Sequence, residues 1–365
     1  MNLLREPFGA RVLEGAMRDK RIISAWVWQG GDEQPFDSLA TYSTFNTKPG
    51  LTVAICTYRR PESLRRLMNS LARQTRIPDQ VVVVDATEDN SVETMLKTAL
   101  QQELLLDNLY YVRVTEPLRG LTRQRNLASN ITTKSLLAFF DDDTVLDDNC
   151  LKIMEATHLL FGNQLAGVGA YINEPRPPDA RWKLRRLFRV VPNLQPGRYH
   201  RAGLCVPWQF LEPCQGVVSG DYLPGCASMW RTDIVRRVRF RESFAGYGRG
   251  EDIDFSLRAK RFGALVLNTC ARVKHLHDPR GRPDPCRHGY MVVRNSYLIH
   301  RECLVDRRPS DTARFFYSVL LDMLMLARHL VRPRYIRFGL QEAMGRAKGL
   351  AEVLFSELFR IGITD

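Results

Sequence analysis

The stretch from Leu51 to Asp85 reads LTVAICTYRRPESLRRLMNSLARQTRIPDQVVVVD, and it holds a complete strand–helix–strand unit. Leu51-Thr-Val-Ala-Ile-Cys56 is short, apolar and rich in β-branched residues, the pattern of a strand covered on both faces. Pro61 then opens a helical stretch, because proline is accepted in a first turn whose N–H has no partner. Leu64, Leu67, Met68 and Leu71 follow at helical spacing. Val81-Val-Val-Val84 is a second buried strand that stops at Asp85. The same alternation continues, with a helix predicted at 92–106, a strand at 109–114, a helix at 121–130 and a strand at 136–140 that runs into Asp141-Asp142-Asp143. Alternating strands and helices predict an α/β fold with a mostly parallel sheet flanked by helices. Ligands of such sheets bind beyond the carboxyl ends of the strands, where Thr57, Asp85 and the three aspartates fall.

Outward from this unit the chain divides into four stretches. Residues 1–48 read as an extension packed on the main body, 49–170 as the half that carries the strand–helix alternation and 171–300 as a more basic, irregular half. Residues 301–365 read as two amphipathic helices. In the first, Asp311, Arg314, Ser318, Asp322 and His329 form a narrow polar stripe. In the second, Ile336, Leu340, Ala343, Ala347, Leu350, Leu354 and Leu358 share one face.

Lysines and arginines outnumber acids 53 to 40, a net charge of +13 that calls for a polyanionic partner: nucleic acid, an anionic membrane surface or a phosphate-bearing substrate. No run of eighteen apolar residues is present, and the N-terminus lacks a secretory pattern, so a cytoplasmic protein is expected. The cysteines form no Cys-x-x-Cys pair and read as reduced thiols. A zinc site could be drawn from Cys270, His275, His277, Cys286 and His288, but the spacing fits no common finger.

Four clusters carry potential chemistry. Asp141-Asp142-Asp143 sets three repelling carboxylates at a strand end, which a hard divalent ion would relieve; a solvated acidic turn is the plainer reading. Glu251-Asp252 opens a helix after a glycine-rich lead-in. Acids suit a first turn without any function, and one of them could equally act as a general base. Lys274-His275-Leu-His277-Asp278 ends an apolar strand and offers imidazoles to a metal. Arg119-Gly120-Leu-Thr-Arg123-Gln-Arg125 presents guanidinium forks between two acid-bearing strands.

Taken in order, Ile55-Cys-Thr-Tyr58-Arg-Arg-Pro61, Val84-Asp85, Gly120-Leu-Thr-Arg-Gln-Arg125-Asn126, Phe140-Asp-Asp-Asp143, Pro224-Gly225-Cys-Ala-Ser-Met-Trp-Arg231 and Gly246-Tyr-Gly-Arg-Gly-Glu251-Asp252-Ile-Asp254 resemble the family 2 glycosyltransferases. The resemblance covers about residues 50–280 and implies a GT-A fold and inverting transfer from a nucleotide-diphosphate sugar. It sets Thr57, Tyr58 and Arg59 near base and ribose, Asp85 on the base, Gly120 at a close approach and Arg125 near the nucleotide. Asp141 and Asp142 go to the nucleotide sugar, Asp142 near the ribose. Asp143 and His275 go to a Mg²⁺ or Mn²⁺ ion, with His277 as fallback. Asp252 is the implied general base and Glu251 its neighbour. The run Asp85-Ala-Thr-Glu-Asp89 departs from the family's second acid and glycine, which leaves the base of the nucleotide open. No Gln-x-x-Arg-Trp motif follows Asp252, which favours single-sugar transfer over processive synthesis.

Nucleotidyl transfer to a sugar phosphate would want a glycine- and lysine-rich phosphate loop, which Thr57–Pro61 does not supply. A catalytically inactive nucleotide-sugar binder would not need intact acidic motifs. A nucleic-acid partner would need aromatics interleaved with basic residues on a recognisable module, and none is seen. The remaining cations, at 181–189 and 332–337, suit a glycan or lipid-linked acceptor or contact with the inner face of a membrane. The C-terminal apolar faces either cover the catalytic core or rest on an anionic bilayer.

Overall fold

The computed structural model describes residues 21–29, 31–35, 48–102, 108–213, 216–244, 246–326 and 335–359. In chain order the elements begin β1 (Ile22–Gln29), β2 (Asp32–Pro35), β3 (Lys48–Thr57), α1 (Pro61–Ala72), β4 (Gln80–Asp85) and α2 (Ser91–Gln101). Then come β5 (Leu109–Val114), α3 (Leu121–Ile131), β6 (Lys134–Asp141), β7 (Thr144–Leu146), α4 (Cys150–Phe161), β8 (Leu165–Ile172) and α5 (Ala180–Leu187). A small hairpin, β9 (Tyr199–His200) and β10 (Leu204–Cys205), precedes β11 (Val217–Gly220), β12 (Ala227–Arg231), α6 (Thr232–Val238), α7 (Glu251–Ala259) and β13 (Ala264–His275). Three helices finish the described chain: α8 (Pro285–Cys303), α9 (Pro309–Leu324) and α10 (Ile336–Phe359).

One sheet runs through the molecule in the order β11-β13-β8-β12-β6-β3-β4-β5-β1-β2, with β7 paired to β13. The expected α/β architecture is present. Strands β6, β3, β4 and β5 are parallel, and β12 enters antiparallel between β6 and β8. The valines of β4 are fully buried because helices cover both faces, and each contributes about 1.5–3 kcal/mol by leaving water. Part of the N-terminal stretch also joins this sheet, since β1 pairs antiparallel with β5 and Trp26 stacks on Tyr111 at 5.0 Å. Among the described residues, no helix is long and apolar enough to cross a membrane.

The two C-terminal helices differ in which face they bury. The buried face of α10 is Gly339, Glu342, Gly345, Gly349, Val353 and Ser356, whereas Leu340, Leu354 and Leu358 point to solvent. Glycines let α10 approach α8 backbone to backbone: a Cβ on Gly345 would lie 1.8 Å from the Cys286 carbonyl oxygen. In α9 the polar stripe is likewise turned partly inward. Asp311 and Ser318 are buried and Asp322 pairs with Arg185, while Leu320 and Leu324 are exposed. α9 still buries Phe315, Val319 and Leu321 against neighbouring elements, so it is chiefly the apolar face of α10 that is left outside. His329 lies outside the described residues.

Candidate active site

The strand ends open into a cavity of about 1110 Å³ lined by Thr57, Tyr58, Arg60, Gly120, Asp141–Asp143, Trp208, Gly225, Glu251, Asp252, His275 and His277, among others. Strand register explains how residues more than a hundred positions apart meet there. Thr144 of β7 lies opposite His275 of β13, which sets the preceding Asp143 beside the imidazole. Ala227 of β12 lies opposite Phe140 of β6, and the Asp141 N–H donates to the Cys226 carbonyl, so Gly225 stands next to Asp141. Gly225 N–H in turn donates to Asp252 at 3.1 Å. A side chain on Gly225 would begin 2.8 Å from the Asp252 Cβ, so only glycine permits this contact.

The three aspartates have separate partners. Asp141 accepts from Arg125 at 3.1 Å. Asp142 accepts from the Thr57 hydroxyl at 2.7 Å and from Arg60 at 2.9 Å. Burial pushes Asp142 up to about 7, against the pull of Arg60. Asp143 meets His275 Nε2 at 3.0 Å and accepts the Asp278 N–H at 2.9 Å. Burial acts to raise Asp143, but His275 and Arg60 outweigh it and hold the carboxyl below its ordinary range. Burial conversely acts to lower His275, yet its bonds to Asp143 and Cys226 push it up to about 11.

Asp141, Asp143 and His275 bring one ligand atom each to within 4.8 Å of one another. Two carboxylate oxygens and an imidazole nitrogen suit a divalent ion that completes its shell with water or phosphate oxygens. Asp141, assigned from the resemblance to the nucleotide sugar, thus stands with the metal candidates. His277 stacks on His275 at 4.2 Å between ring centres but bonds to Glu174, outside this cluster. His288 pairs with Glu342 rather than with the cysteines of the drawn zinc set.

Glu251 and Asp252 form the first turn of α7, where the helix dipole favours acids. Both reach the cavity. Asp252 spreads its carboxylate between the N–H groups of Gly225 and Ile253, and burial raises it above its ordinary value. Burial and repulsion from Asp252 push Glu251 up to about 8 despite Arg125, whose guanidinium donates to it at 2.9 Å.

Several predicted residues take other places. Arg125 is only 3% exposed and sits behind the wall, bonding Asp141, Glu251 and the Gly225 carbonyl. It joins the two acid clusters. Asp85 is buried beneath the cavity, holding the Tyr111 hydroxyl at 2.7 Å and the Thr87 N–H at 2.8 Å. Arg59 has a left-handed φ of 58° and points outward to Glu88 at 2.8 Å. Glu88, drawn down to about 2 chiefly by Arg59, also accepts from the Tyr58 hydroxyl and pairs with Arg119. Gly120, with φ 122°, passes so near the Gly246 backbone that a Cβ would sit 3.3 Å from its nitrogen.

Arg60, not Arg59, faces the aspartates. It bonds Asp142, approaches Asp143 at 3.6 Å and ties both to the Asp278 and Arg280 carbonyls. The left-handed turn at Arg59 swaps which arginine points inward, and nothing in the adjacent pair of letters announces that. Cys56, in the same wall, is pushed up to about 12 by burial and stays an inert thiol.

Residues 52–209 match the family described as "Glycosyl transferase family 2". Over that stretch, a little under half of its length, the chain is similar to the family 2 glycosyltransferases. It is 25% identical to "Validoxylamine A glucosyltransferase" of Streptomyces hygroscopicus subsp. limoneus over 284 residues, 74% of this chain and 59% of that protein. It is 28% identical to "Succinoglycan biosynthesis protein ExoM" of Rhizobium meliloti (strain 1021) over 216 residues, 56% of this chain and 59% of that protein. The chain thus spans about three-fifths of the length of these relatives. Among solved structures, S. aureus TarS aligns over 78% of this chain and 44% of its own, at 15% identity and a TM-score of 0.43. The transferase domain's family match ends at 209, so Gly225, the Glu251–Asp252 pair and His275 lie beyond it and are joined to it by the sheet.

Proposed function

We propose that the domain transfers a single sugar from a nucleoside-diphosphate sugar to a hydroxyl of a glycan or lipid-linked acceptor, with inversion at the anomeric carbon. The observation that carries this reading is one cavity shared by the Asp141–Asp143–His275 cluster and Asp252. A donor with its diphosphate at the cluster would present the far face of its sugar toward Asp252. Inversion needs that geometry, because attack and departure occur on opposite sides of one carbon.

Asp252 takes the proton of the attacking hydroxyl. That hydroxyl ionises far above neutrality, so its proton must leave as the new bond forms. The N–H groups of Gly225 and Ile253 fix the carboxylate, and burial raises its basicity. Glu251, held by Arg125, keeps the guanidinium oriented between the two acid clusters. Asp141, Asp143 and His275 would hold Mg²⁺ or Mn²⁺, which when bound stabilises the charge developing on the diphosphate. Arg60 offers a fixed positive charge beside the same carboxylates, and Trp208 and Tyr222 wall the acceptor side.

A thermal-shift panel of uridine, thymidine and guanosine diphosphate sugars, each with and without Mn²⁺, tests this reading. One nucleotide class should stabilise the protein in a Mn²⁺-dependent way, and transfer to an added acceptor should follow with that class alone. No stabilisation by any member of the panel would overturn the proposal.

A further inference from the structure

The large apolar residues of α10 are mostly on its outward face, while its buried face is built chiefly of glycines with Glu342, Ser356 and Val353, unlike a helix that covers a core with its bulky side chains. All three acids of α10 are used internally. Glu342 accepts from His288 and Arg346, Glu352 from Tyr290 and Arg294, and Glu357 from Tyr297 and Arg307. What remains outside is Leu340, Met344, Leu354, Phe355, Leu358 and Phe359, with Leu358 77% exposed. The charges on that side are Arg337 and Lys348, both exposed. At 100° per residue, Arg337, Met344, Lys348 and Phe355 fall on one stripe.

A second helix end, tied to α10 through α9, also exposes apolar residues between cations. Arg185 of α5 forks onto Asp322 of α9 at 2.7 Å, and Arg346 of α10 lies 4.0 Å from that carboxylate. The end of α5 anchored in this way exposes Leu187 and Phe188 between Arg186 and Arg189. Contiguous exposed apolar surface marks an interaction site. Here its charges carry one sign. Pairing this face with a second copy would set cation against cation, whereas anionic lipid headgroups supply the complementary charge.

We propose that the outer face of α10, with the neighbouring end of α5, docks on an anionic lipid bilayer. The phenylalanines and leucines enter the headgroup–acyl boundary while Arg337, Lys348, Arg186 and Arg189 meet the headgroups. The proposal stands apart from the catalytic reading, since docking needs neither donor nor metal.

Co-sedimentation of the full chain with phosphatidylcholine vesicles, alone or with about one-third phosphatidylglycerol, tests it. Binding should require phosphatidylglycerol and weaken at least ~5-fold between about 0.1 M and about 0.5 M salt, as screening demands. The double variant Phe355→Ser, Leu358→Ser should lose ~10-fold or more of the binding, because it removes apolar area from the bilayer contact. Arg337→Glu with Lys348→Glu should abolish the preference for the anionic lipid. Both variants change only exposed positions, so thermal unfolding and nucleotide-induced thermal shifts should match the parent protein. No binding of the parent to anionic vesicles, or binding untouched by either variant, would overturn the proposal. So would a dimer in light scattering that Phe355→Ser, Leu358→Ser dissociates, which would assign the face to a second copy.

Discussion

The two acid clusters of the cavity differ in how their charge is answered. Asp141, Asp142 and Asp143 meet three different cations, namely Arg125, Arg60 and His275. Glu251 and Asp252 share the influence of Arg125, which bonds only Glu251. In the first cluster His275 and Arg60 hold Asp143 below its ordinary range, ready to meet positive charge, even though burial pushes the neighbouring Asp142 up to about 7. The second keeps carboxylates whose proton affinity burial has raised. One arrangement suits a cation and the other suits proton transfer, and Arg125 connects them.

Substitutions can break this division of labour, beginning with the largest effect. Asp252→Asn keeps the shape of the side chain but removes its basicity, so turnover should fall ~10²–10⁴-fold while donor binding stays nearly intact. Near-normal turnover, measured with the donor identified by thermal shift, would end the assignment of Asp252 as base. Asp143→Asn should act oppositely. It should cost metal-dependent nucleotide stabilisation by more than the ~10–100-fold typical of a residue that merely supports a ligand. An unchanged Mn²⁺ dependence would remove Asp143 from the ion's shell.

The link between the clusters is tested through pH. Asp252 works ionised, so the rate rises with pH through its pKa, which burial has already raised. Arg125 opposes that rise, and Arg125→Gln should move the acid limb of the rate profile up by ~1–3 units. The same variant should destabilise the protein by about 1–3 kcal/mol, because the buried acceptors at Glu251 and the Gly225 carbonyl lose their donor; thermal unfolding checks this. An unmoved limb in a folded variant would show that the clusters are electrically independent. Glu251→Gln should matter least. Glu251 is pushed up to about 8 and is largely protonated near neutrality, so glutamine imitates the state present and turnover should stay within ~10-fold. A larger loss would make Glu251 a second participant in proton transfer.

Much of the fold was legible because the central strands are buried on both faces and read as unbroken apolar runs. The valines of β4 admit few other readings. The members of the site were also legible as types, though only through the order of several motifs, since an acidic turn at a strand end and an acid pair in a first turn each have a plainer reading alone. Their partners were not. Whether Arg59 or Arg60 faces Asp142 depends on a single left-handed φ. Arg125 reads as a phosphate-binding fork, yet it lies behind the wall, where buried Glu251 and partly exposed Asp141 both bind it. The buried face of α10 was not legible, since apolar periodicity ordinarily reports the buried face and the sequence left both placements open. Gly289, Gly345 and Gly349 allow backbones to touch, and the energy of that contact lies in close packing that hydrophobicity does not measure.

By itself the sequence determined the α/β alternation, the carboxyl-end location of the acids and the family resemblance, because these depend on local periodicity and on the order of short motifs. Only the tertiary structure decided which arginine neutralises which aspartate, how Gly225 reaches Asp252, and which way α10 faces. Each of these depends on strand register or backbone approach between residues far apart in the chain. A one-residue slip in the pairing of β7 with β13 would part Asp143 from His275, and no letter near either residue records that register.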